Sequence, residues 1–327
     1  MLTRWSKMTP FVVIAFVFLL IFVSKKLYHQ GNQSSSGLKI GILQTITHPA
    51  LDRSRNGLMD YFKRQYTLEN VEFIIQNGEG SISTLNSMAK GLQEKADVFF
   101  AIGTQAAQAI AQIERNRPIV FAAVSSATKA GLIYPKTNVS GITDGIDGED
   151  QVKTLIEFFP QAKKVVLLYN PEEVNSIEQI RPIESELRKF KREVIHVGVS
   201  SEAELPQKMK VALSKGDIIL VPTDNLIVSS MPYIASVAKK NKVPLIASDN
   251  PSVENGALMS EGVDYYEQGK FAAELLMEII STGKSPEEFS IKVPENRTLL
   301  INRETFDALE ISIPKSFKDR IKFFSNL

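Results

Sequence analysis

Lys95-Ala96-Asp97-Val98-Phe99-Phe100-Ala101 and Lys215-Gly216-Asp217-Ile218-Ile219-Leu220-Val221 follow one pattern: lysine, a small residue, aspartate, then an apolar run. Each is followed by a polar turn and a helical stretch. Each then reaches a second edge of one kind, Asn116-Arg117-Pro118-Ile119-Val120 in the first half and Asn241-Lys242-Val243-Pro244-Leu245-Ile246 in the second. A strand–helix–strand unit that occurs twice predicts two lobes of the same topology. Further runs, Ile40–Leu43 and Val165–Leu168, join Val98–Ile102, Ile119–Val124, Ile218–Val221 and Val243–Ala247. None alternates polar with apolar, which is the habit of strands covered on both faces in a parallel sheet. Between them the apolar residues return at helical spacing: Leu85, Met88, Ala89 and Leu92, then Ile177, Ile180, Ile183, Leu187 and Phe190. The fold class is α/β.

The 327 residues exceed one ordinary domain of about 100–200 residues, and 43% hydrophobic with 23% charged residues can fill two cores. With 38 basic and 37 acidic residues the net charge is +1, so there is no electrostatic footprint for nucleic acid. The absence of cysteine excludes disulfides, thiol nucleophiles, thiolate metal sites and a lipid-modified cysteine anchor. His29, His48 and His196 stand far apart, so no histidine-based metal site and no cofactor is expected.

Met8–Ser24 carries no charge and contains the unbroken apolar run Phe11–Val23. As a helix it would span about 25 Å, near the lower limit for crossing a hydrocarbon core. Arg4 and Lys7 precede it as in a signal peptide, yet Lys25-Lys26-Leu27-Tyr28 follows where a small-residue cleavage site would stand. An uncleaved membrane anchor is therefore expected over a cleaved signal. Gly31–Gly37 reads as a flexible polar tether to a body outside the cytoplasm.

In open α/β sheets ligands bind beyond the carboxyl ends of the strands. The candidates are thus the residues directly after each apolar run: Gln44-Thr45, Thr104-Gln105, Ser125-Ser126, Tyr169-Asn170, Thr223-Asp224-Asn225 and Ser248-Asp249. Strand ends are often polar only because loops meet water. Six sets together, weighted to hydroxyls and amides, predict a polar cleft. Helix N-termini converging there suit a carboxylate, with Thr104, Ser125 and Ser126 in support. Asp224 and Asp249 are the ready partners for an ammonium, although Asp224 equally suits a helix cap ahead of Leu226. The chain has no Gly-x-Ser-x-Gly elbow, HExxH, Walker loop or Gly-x-Gly-x-x-Gly after a strand, which disfavours an enzyme.

The same residues carry a resemblance across Lys39 to about Ile313. Its pieces are Ile40-Gly41-Ile42-Leu43-Gln44, His48-Pro49-Ala50-Leu51-Asp52, Ala106-Ala107-Gln108, Pro118–Val124 and Gly141-Ile142-Thr143-Asp144. Leu168-Tyr169-Asn170-Pro171, Asn175-Ser176, Val221–Asn225, Ser248-Asp249, Gly256-Ala257 and Asp264–Gly269 complete it. In this order the chain resembles the ABC-transporter substrate-binding proteins related to tryptophan- and tyrosine-binding components. That resemblance implies a type I periplasmic-binding fold, two Rossmann-like lobes joined by a hinge. The lobes would be residues 38–142 with 262–285 and residues 143–261 with 286–327, after an N-terminal anchor and linker over 1–37. The chain would cross near Ile142–Gly145, near Glu261–Asp264 and after about Lys284. Carried over by position, the ligand site would hold Gln44, Thr104, Ser125, Tyr169, Asn175, Ser176, Thr223, Asp224, Asn225 and Asp249.

The implied function is extracytoplasmic binding of a small polar ligand, an aromatic amino acid, for an ABC importer, with a permease and ATPase subunits as partners. The chain departs from the family at Thr104-Gln105, where members commonly read Thr-Pro, and at Ser125-Ser126-Ala127, where they often read Thr-Asp-Pro. The second departure removes a carboxylate near the cleft and loosens the inference to a particular ligand. His48 before Pro49 reads equally as a turn residue, and Tyr265 and Tyr266 as hinge packing. A ligand-sensing module of a receptor or regulator is the alternative. A regulator would carry a helix-turn-helix before Leu38, where the apolar segment stands, and a receptor a further span or signalling domain beyond Leu327.

Overall fold

The computed structural model describes residues 37–65, 71–144, 148–294 and 297–325. The expected anchor Met8–Ser24 lies outside the described residues. Among those described, no helix is long and apolar enough to cross a membrane.

The chain alternates strand and helix from the start. It runs through β1 (Leu38–Gln44), α1 (Pro49–Gln65), β2 (Val71–Asn77), α2 (Ile82–Gln93), β3 (Val98–Ile102), α3 (Thr104–Ile113), β4 (Ile119–Val124) and β5 (Val139–Thr143). These strands form a parallel sheet in the order β2-β1-β3-β4-β5. A second body begins with α4 (Gly148–Phe158), β6 (Lys164–Tyr169), α5 (Val174–Lys189), β7 (Glu193–Gly198) and α6 (Leu205–Lys215). It continues through β8 (Ile218–Val221), α7 (Asn225–Ser229), α8 (Met231–Lys240), β9 (Leu245–Ala247), α9 (Asn250–Glu254) and β10 (Met259–Gly262). The chain then returns to the first body as α10 (Tyr265–Thr282), which packs along α1. Finally β11 (Thr298–Asn302), α11 (Arg303–Ala308) and β12 (Ile321–Phe324) complete a second sheet, β12-β11-β10-β9-β8-β6-β7. Only the β10–β11 pair in it is antiparallel.

The six apolar runs divide three and three between the two sheets. Their lack of alternation has a direct cause. In β3, Val98, Phe100 and Ile102 enter the core under α1 and α10, while Phe99 and Ala101 enter the core under α2 and α3. The second sheet is covered on both faces in the same way. After α10 the chain stays with the first sheet, because Ser140 donates its hydroxyl to the Phe289 carbonyl at 3.2 Å and Ile142 pairs with Lys292.

Two glycines set the distance between α1 and α10. A Cβ on Gly57 would lie 2.0 Å from the Tyr266 carbonyl oxygen, and one on Gly269 would lie 1.9 Å from that of Ser54. The helices touch backbone to backbone, which fixes where α10 presents Tyr265.

Candidate functional site

The carboxyl ends of the two sheets face each other across a cavity. From the first body it is lined by His48, Ala50 and Leu51 at the start of α1, Thr104 opening α3, and Ala123 and Ser125 at the end of β4. From the second come Asn175 on α5, Thr223 and Asp224 after β8, Asn225 and Val228 on α7, and Asp249 after β9. Asp144, directly after β5, and Tyr265, the first residue of α10, lie where the chain passes between the bodies.

The lobes are closed on one another. Ser125 and Thr223 share a hydrogen bond of 2.9 Å, and the Gln179 amide donates to both hydroxyls. Arg53 pairs with Glu254 through both terminal guanidinium nitrogens, and Lys129 meets Glu178 at 3.3 Å. His48 Nε2 lies 3.4 Å from Asn225 Oδ1.

Thr104, Ser125, Asn175, Thr223, Asp224, Asn225 and Asp249 thus come together around one cavity. Gln44, Tyr169 and Ser176 do not line it. The Gln44 amide donates to the Ile46 carbonyl at 2.8 Å and to Asp52 at 2.9 Å, and its oxygen accepts from Arg55, so it braces the β1–α1 turn. Tyr169 packs its ring edge-on against His196, on the core of the second sheet. Ser176 stands behind Asp224 and donates to its Oδ2 at 2.6 Å.

The carboxylates differ sharply in how they are occupied. Asp224 caps α7 by accepting from Ile227 N at 2.9 Å, and its other oxygen takes Asn170 N and the Ser176 hydroxyl. Burial, and then the nearby Glu173 charge, push its pKa up to about 8. Asp249 caps α9, accepting from Ser252 N at 2.8 Å and the Ser252 hydroxyl at 2.7 Å, and burial raises its pKa. The cap reading of Asp224 therefore accounts for its contacts, and Asp249 likewise caps a helix while lining the cavity.

Asp144 is different. It is fully buried, its Oδ2 accepts a 3.3 Å bond from the Tyr265 hydroxyl, and its Oδ1 has no partner among the described residues. Burial pushes its pKa up to about 6. Three other buried polar atoms on the cavity wall lack a partner: Thr104 Oγ1, Asn175 Oδ1 and His48 Nδ1. Burial lowers the His48 pKa to about 4, so the ring is neutral. Buried polar atoms are normally satisfied, so four unsatisfied ones around one cavity describe what a ligand would supply. Thr104 opens α3, whose N-terminus adds positive potential for a carboxylate. Among the described residues no cluster of three or more histidine, aspartate or glutamate side chains could hold a metal ion.

Asp144 escapes the search by apolar runs because β5 is not one. Ser140 and Gly141 interrupt it, and Gly141 lies so near β4 that a Cβ would come 2.4 Å from the Phe121 carbonyl oxygen. His48 and Tyr265 are visible in the sequence but read as turn and hinge residues.

The family model for ABC transporter substrate binding proteins matches residues 39–320. A tyrosine-binding protein of Clostridioides difficile (strain R20291) is 35% identical over 294 residues, covering 88% of this chain and 84% of that protein. Among solved structures, an ABC domain from Streptococcus pneumonia in complex with L-Trp is 29% identical with a TM-score of 0.84. The match covers 89% of this chain and 100% of that one. The ligand-free, open structure of a Clostridium difficile substrate binding protein with adhesive properties is 32% identical over the same shares, with a TM-score of 0.67. The two-sheet α/β fold matches type I periplasmic-binding neighbours. Extent and identity together place this chain in the family of ABC-transporter substrate-binding proteins.

Proposed function

We propose that the protein is the extracytoplasmic binding component of an ABC importer. It holds one aromatic amino acid between its lobes and delivers it to a permease driven by ATPase subunits. The observation that carries this is the set of buried, unpartnered polar atoms on the cavity wall. Asp144 Oδ1 is an acceptor for the α-ammonium, with the Tyr265 hydroxyl holding the carboxylate in place. Thr104 Oγ1 and the N-terminus of α3 suit the α-carboxylate. Ala50, Leu51 and Val228 leave an apolar wall for a ring. The relatives named above for tyrosine and L-Trp support the ligand class.

The lobes in this reading are residues 38–142 with 262–292 and residues 143–261 with the C-terminal segment, the last crossing falling after Lys292. Met8–Ser24 keeps its proposed role as membrane anchor. Isothermal titration of the purified protein against the twenty amino acids tests the function. Saturable one-to-one binding of an aromatic amino acid is expected. Heat changes for sugars or nucleosides, with none for amino acids, would overturn it.

A further inference from the structure

Resting on that aromatic amino acid reading, we propose that His48 Nδ1 accepts a hydrogen bond from a donor on the ligand's ring, so that the cleft prefers tryptophan or tyrosine to phenylalanine. The direction of this bond is set by a chain of partners. Glu173 is 3% exposed, and its Oε2 accepts from Asn225 N at 3.0 Å and Asn225 Nδ2 at 2.6 Å. With its amino group so engaged, Asn225 presents Oδ1 to His48 Nε2 at 3.4 Å. An amide oxygen only accepts, so Nε2 carries the proton and Nδ1 keeps its lone pair. Burial holds the ring in its neutral form, and Nδ1 has no partner among the described residues. A buried acceptor left without a donor is costly, and a ring-borne N–H or O–H removes that cost.

Location favours the ring over the ligand's two charged ends. Asp144 and Thr104 already account for the ammonium and the carboxylate. Apart from Ala123 at the end of β4, the aliphatic lining comes from Ala50 and Leu51, which follow His48 almost directly, and from Val228, which shares α7 with Asn225. The other unpartnered acceptor, Asn175 Oδ1, stands on α5, which gives the cavity no apolar residue. His48 belongs to one lobe while Asn225 and Glu173 belong to the other, so the acceptor sense of Nδ1 is fixed only as the lobes meet. The ring donor is therefore read at closure.

Matched ligands test this on the unmodified full chain. Tyrosine is compared with phenylalanine, and tryptophan with 3-benzothienylalanine, in which sulfur replaces the indole N–H. By titration calorimetry the donor-free member should bind at least about tenfold more weakly, since a site built for a hydrogen bond rejects the analogue lacking it. His48→Leu should cost the donor-bearing ligand about tenfold or more and phenylalanine less than about threefold. His48→Asn, which returns an amide oxygen near the place of Nδ1, should recover part of the preference. Equal affinities within both pairs overturn the proposal, as does an equal loss for all ligands in His48→Leu. Should His48→Leu not fold, the ligand pairs decide alone. Binding of no amino acid at all overturns the underlying reading and this inference with it.

Discussion

Asp144 shows how one side chain can couple burial, charge and ligand. An ordinary aspartate titrates near 3.8; burial pushes this one to about 6, because the ionised form loses its water, a loss that its own backbone N–H and the Tyr265 hydroxyl offset only in part. The folded protein therefore holds the proton more tightly than the unfolded chain. Stability from this group is full below about pH 4 and is lost as pH rises through 6, about 3 kcal/mol in all. A ligand ammonium on Oδ1 favours the ionised form, so binding expels the proton and affinity should rise with pH to a plateau above 6. Between pH 7 and pH 5 the affinity should fall, by about tenfold where the unliganded lobes are closed and by less where they rest open, as read by calorimetry in two buffers of different ionisation enthalpy. His48, lowered from 6.5 to about 4, works in the same direction wherever an open cleft lets it protonate. Asp144→Asn keeps His48 and separates the two: its pH profile should flatten. That variant should also lose roughly 2–5 kcal/mol of binding, more than about thirtyfold, through loss of a desolvated charge pair. Asp224→Asn should instead bind within about threefold of the parent. Asn is a good cap, but with its oxygen on Ile227 N the amide nitrogen takes the place of Oδ2 and cannot accept from Asn170 N, so thermal unfolding should show roughly 1–3 kcal/mol of lost stability. The opposite ranking of the two variants would sink this assignment.

Among the secondary-structure elements, what the sequence reveals depends on how fully each is covered. β1, β3, β4, β6 and β8 lie inside the sheets and announce themselves as apolar runs. The edge strands β2, β7 and β12 are only partly buried and carry Glu72, Gln76, Glu193, His196 and Lys322, so they leave no long run to find. β5 is interrupted by Ser140 and Gly141, and with it Asp144 is hidden. The polar strand ends pointed to the cavity as a whole, yet could not separate lining residues from braces. Gln44 and Ser176 have the right chemistry in the right places, and only their neighbours' donors and acceptors turn them inward to the protein. The glycine contacts between α1 and α10 are equally silent, since Gly57 meets Tyr266 and Gly269 meets Ser54 only in three dimensions. Gly269→Ala should force the helices apart, cost roughly 1–3 kcal/mol or more, and weaken binding by shifting Tyr265 away from Asp144. Gly91→Ala, on α2 with nothing within 4 Å of a new Cβ, should stabilise by about 0.5–1 kcal/mol and leave binding unchanged. Differential scanning calorimetry with a binding isotherm for each variant checks the contrast; equal behaviour of the two would refute the packing argument.

For the molecule as a whole, closure and ligand are linked through the same carboxylate. The chain superposes better on the L-Trp complex, at a TM-score of 0.84, than on the open ligand-free relative, at 0.67, although it is slightly more identical in sequence to the latter. Its inter-lobe contacts agree: Ser125 with Thr223, His48 with Asn225, Arg53 with Glu254. Most of these are polar bonds that water can replace when the cleft opens, and the partly exposed Arg53–Glu254 pair contributes little in solution. Closing without a ligand, by contrast, buries an ionised Asp144 whose Oδ1 meets no donor. At neutral pH that penalty, about 3 kcal/mol, exceeds what a few replaceable polar bonds return, so the unliganded protein should rest open. An ammonium cancels the penalty and closure follows, as a ligand that favours one state must make it do. Asp144→Asn removes the charge while keeping the shape. It should therefore populate the closed form with no ligand present, although it binds amino acids poorly. Small-angle X-ray scattering at pH 7 separates the cases. The parent should contract only on adding ligand, whereas Asp144→Asn should scatter as the contracted form from the outset. Identical, expanded profiles for both unliganded proteins would show that the lobes are held apart by something other than this buried charge.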